Sequence, residues 1–161
     1  GELNIDRLGV VGVELGASLA INWAALDWNW PVLATGKQGQ DVKALALISP
    51  EWGFKGIRIS DAVVDPSVRS QIAFLVVCGA RNPRMQAESK RLYNALARYQ
   101  DVSESLPLEK QTLILRTPAT SLQGMPLLNE KSMNVAQMIV EFVDLRLLKP
   151  PYSWQDRKSP L

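Results

Sequence analysis

An apolar run from Leu8 to Val13 leads through Gly12-Val13-Glu14-Leu15-Gly16 into a helix-like stretch beginning at Ala17. The spacing is that of G-x-S-x-G, in which two glycines let a strand turn sharply into a helix and lift one hydroxyl above the sheet to attack a carbonyl. Here the lifted residue is Glu14, so the turn carries a carboxylate where acyl chemistry needs a nucleophilic hydroxyl. Without chemistry, the same residues read as a strand–glycine–helix junction. Glu14 would then lie near the positive end of a helix dipole and cap free backbone amides, notably that of Leu15.

The composition narrows the chemistry further. The chain has no histidine, so it cannot by itself build a triad whose base titrates near neutrality. An ester formed on Glu14 would need a base-activated water for its release, and no imidazole is present to supply one. Cys78 is the single cysteine, which excludes an internal disulfide and disfavours zinc; inside an apolar strand it reads as buried and inert. A dinucleotide fingerprint would need glycine at position 14, and Gly36-Lys37 is followed by Gln38 rather than by the Ser or Thr of a P-loop. No cofactor and no metal are expected.

With 161 residues, 47% of them hydrophobic, the chain is long enough for one domain with a sizeable core. Its net charge is +2 and its Lys and Arg are interspersed with Asp and Glu, which gives no footprint for nucleic acid. Arg7, Asp27 and Lys43 interrupt the apolar stretches, so no membrane span is expected.

The elements needed to position Glu14 follow an alternating pattern. Strands are predicted at Leu8–Val13, Val42–Ile48, Ile72–Cys78 and Gln111–Leu115, as continuous apolar runs of the kind buried on both faces. Helices are predicted at Ala17–Leu26, at Met85–Tyr99 and over Met133 to Leu147 with a cap near Ser132. This predicts an α/β fold, a parallel sheet of about four strands with helices on both faces. The region Pro50–Arg69 reads as a long excursion over the sheet. Trp23, Trp28 and Trp30 read as core or loop anchors, whereas Trp52 and Phe54, with Glu51 beside them, follow a strand end and face the crevice where such folds bind ligands. Residues 149–161 form a Pro-rich tail, an extended linker or a strap anchored by Tyr152 and Trp154.

Taken together, the strand ends resemble the C-terminal half of an α/β-hydrolase, in the dienelactone-hydrolase-like and peptidase-like branch. The elbow strand is followed by Ala44-Leu-Ala-Leu-Ile-Ser-Pro50, then by Phe74-Leu-Val-Val-Cys-Gly-Ala-Arg-Asn-Pro83 in the place of the acid loop, then by Ser121-Leu-Gln-Gly-Met-Pro-Leu-Leu128 in the place of the His-Gly loop. The resemblance implies that Glu14 stands at the nucleophile position, Asn82 at the acid and Gln123 at the histidine, a degenerate triad. It also implies that the domain, residues 1–148, is incomplete at its N-terminal side, so that an upstream domain or a partner covers the Leu8 to Val13 edge. A catalytically inactive domain with a binding or structural role is therefore expected, with Glu14, Leu15, Trp52, Phe54, Asn82 and Gln123 as candidates for holding a small polar ligand. The alternatives are an active ester or peptide hydrolase completed by residues from outside the chain or by another serine such as Ser121, and a purely architectural domain of a larger protein.

Overall fold

The computed structural model describes residues 6–31, 38–100, 102–103 and 105–150. Its centre is a parallel sheet built from β1 (Leu8–Val13), β2 (Val42–Ile48), β5 (Ala73–Val77) and β6 (Leu113–Arg116), in the spatial order β1-β2-β5-β6. Between β2 and β5 lie a two-stranded hairpin, β3 (Gly53–Phe54) with β4 (Ile57–Arg58), and two short helices, α2 (Ser60–Val64) and α3 (Pro66–Gln71). The remaining helices are α1 (Leu15–Trp28), α4 (Pro83–Leu96), α5 (Gly124–Asn129) and α6 (Val135–Val143). The α/β architecture expected from the alternating pattern is thus present, and the long excursion resolves into this hairpin and helix pair.

Every strand-to-strand step runs the same way across the sheet, so right-handed crossovers must place their helices on one face. Leu45, Leu47, Phe74, Val76 and Leu113 point to that face and pack against α1, α2, α3 and α4. The alternate residues, Ala44, Ala46, Ile48, Leu75, Val77 and Ile114, point to the other face, where Leu127, Val135, Phe142 and Leu147 cover them. The small side chains of Ala44 and Ala46 leave room for the C-terminal elements to cross close to β2.

Two helices begin at an Asx–Pro pair, the side chain capping the first turn and the proline supplying a pre-set φ. Asp65 accepts from the amides of Ser67 and Val68, and Asn82 accepts from Met85. The last helix differs from its sequence pattern. A 3-10 turn at Lys131–Met133, stabilised by Glu130 accepting from the Ser132 amide, gives way to Asn134 at φ 54°; α6 follows, and a π-helical turn at Asp144–Leu148 ends the segment. Ser132 therefore does not cap α6. Asn134, a residue that tolerates the left-handed region, resets the chain direction instead.

Trp28 is an anchor as expected, its indole N–H donating to the Val42 carbonyl at 2.8 Å. Trp30, just beyond the end of α1 and 54% exposed, is a loop anchor, its indole N–H donating to Gln38 Oε1 at 2.6 Å, whereas Trp23 lies 45% exposed on the outer side of α1 and is not a core residue. Tyr152 and Trp154, with the rest of the tail beyond Pro150, lie outside the described residues. No described helix is long and apolar enough to cross a membrane.

Candidate functional site

The chain reverses sharply at the C-terminal end of β1. A Cβ on Gly12 would come within 2.6 Å of the Ala17 Cα and the Gly16 carbonyl, so α1 can fold back this closely only over a glycine. Gly16 has open space around it and no such requirement. Between them Glu14 adopts φ 51° and ψ −115°, a conformation rarely open to a residue with a side chain. Its amide continues the sheet ladder by donating to the Ile48 carbonyl at 2.9 Å, and its carbonyl accepts from Ala17.

The carboxylate of Glu14 does not cap α1. It projects the other way and fills the space that a Cβ of Gly124 would occupy, with Oε2 2.9 Å from that point. The capping account of Glu14 is therefore replaced, and the reason is the backbone: with φ in the left-handed region, the side chain leaves on the side of α5 rather than over the first turn of α1. The amides of Leu15 and Gly16 have no acceptor among the described residues and remain available as donors.

Gln123, immediately before Gly124, is held on three sides. Its Oε1 accepts from the Ser49 hydroxyl at 2.8 Å and from the Gly79 amide at 3.3 Å, while its Nε2 donates to the Gly79 carbonyl at 3.2 Å. Ser49 is buried at φ 51°, and its oxygen in turn accepts from the Gly124 amide at 2.9 Å. Gly79 is needed at its position, since a Cβ there would run into the carbonyls of Leu122 and Thr120. The loops after β1, β2, β5 and β6 thus meet at one end of the sheet around Glu14, Ser49, Gly79 and Gln123-Gly124.

The other sequence candidates are engaged elsewhere. Asn82 uses its Oδ1 to cap α4 through Met85 at 3.1 Å. Trp52 donates its amide to Glu88 at 2.8 Å, packs on the core beneath α1 to α4 and lies under the Arg91 guanidinium at 4.1 Å. Phe54 sits on the β3–β4 hairpin with the Lys55 ammonium 5.2 Å from its ring, and Glu51 pairs with Arg84 at 3.3 Å. Sequence reasoning missed Ser49, Gly79 and Gly124; the signal available was a small residue just beyond β2, just beyond β5 and at the start of α5.

Chemically, the junction offers one exposed carboxylate and two free amide donors, with a carboxamide already committed to its neighbours. The Ser49 hydroxyl is buried and donates to the Gln123 amide oxygen, a neutral acceptor that cannot take its proton. No group of His, Cys, Asp and Glu suited to a metal occurs among the described residues. The chain matches no family model, no curated protein and no solved structure.

Proposed function

We propose that this is a catalytically silent α/β-hydrolase-like domain that retains a ligand-binding crevice at Glu14. The observation that carries the reading is the conjunction of a strained, non-glycine elbow residue at the end of β1 with the Gln123-Gly124 loop laid against its side chain. Backbone strain of this kind costs on the order of 1–3 kcal/mol and persists where the surroundings over-determine it, commonly at ligand sites. An exposed carboxylate turned toward Gly124, with the Gln123 carboxamide already committed to its neighbours, suits a small cationic or neutral polar ligand.

The test compares the parent chain with Glu14→Gln in thermal-shift titrations against small alkylammonium ions and polyols, alongside hydrolysis of an activated aryl ester. The expected outcome is a stabilising ligand whose effect falls in Glu14→Gln, because a ligand that binds only the folded state raises its stability, together with ester hydrolysis at the buffer rate. Turnover lost on changing Glu14 would overturn the silent reading. Hits indifferent to Glu14 would favour an architectural role, a second reading supported by the apolar outer side of α1, where Leu19, Trp23 and Leu26 are exposed.

A further inference from the structure

Away from the elbow, α2 and α3 face the C-terminal half of α4 across a cleft of about 370 Å³. Val63, Val64 and Ala95 give it an apolar floor, and Trp52, Tyr99, Arg69 and Arg98 stand around it. The Arg69 guanidinium lies 4.0 Å from the Tyr99 ring centroid and that of Arg91 lies 4.1 Å from Trp52. Among the described residues none of Arg69, Arg91 and Arg98 has a carboxylate partner, whereas Arg84 on the same helix is paired with Glu51. Glu88, the nearby acid, accepts from the Trp52 amide.

A guanidinium laid on a ring keeps its plane while its N–H edges stay open to an oxyanion, and less side-chain freedom is lost when that oxyanion binds. Arg69, laid on Tyr99, and Arg98 stand at the apolar floor, neither with a carboxylate at ion-pair distance among the described residues, while Arg91 lies on the Trp52 ring outside the cleft lining. A carboxylate would satisfy one fork; a phosphoryl group, with its extra charge and third oxygen, can meet more of them. We propose that this cleft binds a phosphate monoester carrying an apolar body of about the size of an aryl ring, the body resting on Val63, Val64 and Ala95.

Phenyl phosphate, benzoate and inorganic phosphate, each titrated calorimetrically into the chain in a low-salt, phosphate-free buffer, test the assignment. Phenyl phosphate is expected to bind at one site, at least tenfold more tightly than either of the others, and to lose at least tenfold in Arg69→Gln/Arg98→Gln while Arg84→Gln is unchanged. Should the double variant fold poorly, the indole N–H resonance of Trp52 in the parent chain, assigned with Trp52→Phe, provides a second readout and must move on adding phenyl phosphate. Absence of binding, equal affinity for benzoate, insensitivity to the two arginines or a static Trp52 resonance would each overturn the proposal.

Discussion

Glu14 stands in the mirror image of an ordinary extended conformation, which glycine adopts freely and a side-chain-bearing residue does not. Glu14→Gly is accordingly expected to raise stability by about 1–3 kcal/mol in urea unfolding while abolishing the ligand binding proposed for Glu14; a loss of stability would show that the backbone is not strained there. Cys78 supplies a pH-dependent check. Burial lifts its thiol above the ordinary value of 9.0, with the neighbouring Ser89 hydroxyl and the Lys90 charge working in the opposite direction. The folded chain then holds this proton more tightly than the unfolded chain, so the contribution is intact below the unfolded value and is lost as pH rises through the folded one. Cys78→Ala should show a shallower alkaline decline in stability than the parent, and the native thiol should react with iodoacetamide only as fast as the protein opens. At this scale the sequence was partly legible. Gly12 and Glu14 stood out by spacing, but the fixing of Gln123 by Ser49 and Gly79 depends on three distant loops meeting, and no local pattern reports that.

The elements themselves were more visible than their ends. Continuous apolar runs revealed all four long strands because a parallel sheet covered on both faces has no polar side to dilute the pattern. Helix starts depend on capping chemistry more than on periodicity: Asn82→Ala should cost about 1 kcal/mol of stability by leaving the Met85 amide without its acceptor, measurable as a lowered unfolding midpoint with unchanged slope. An unchanged midpoint would mean that α4 is held by Leu92 and Leu96 in the core alone. The stretch from Met133 to Leu147 shows the limit of periodicity. Apolar residues at steps of three and four mark the face that meets the sheet, yet they carry no information about whether the hydrogen bonding beneath them is α-helical, and here a left-handed Asn134 and a π turn interrupt it.

For the molecule as a whole, β1 pairs only with β2 among the described residues, and Val11 on it is exposed. An unblunted edge of this kind recruits other strands. Sedimentation velocity should show association that grows with concentration and is reduced by Val11→Lys; a parent chain that remains monomeric throughout would mean that the edge is protected. The sheet order has a consequence of its own. All crossover helices lie on one side, so among the described residues the opposite side is covered by the segment C-terminal to β6, from Leu122 to Leu147. A ribosome delivers those residues after every strand has already emerged, and until then Ile48, Leu75, Val77 and Ile114 have no cover from the other described elements. Translation cut short between Arg116 and Leu122 would release a four-stranded ladder with one bare greasy side, a substrate for proteases and chaperones rather than a smaller working domain.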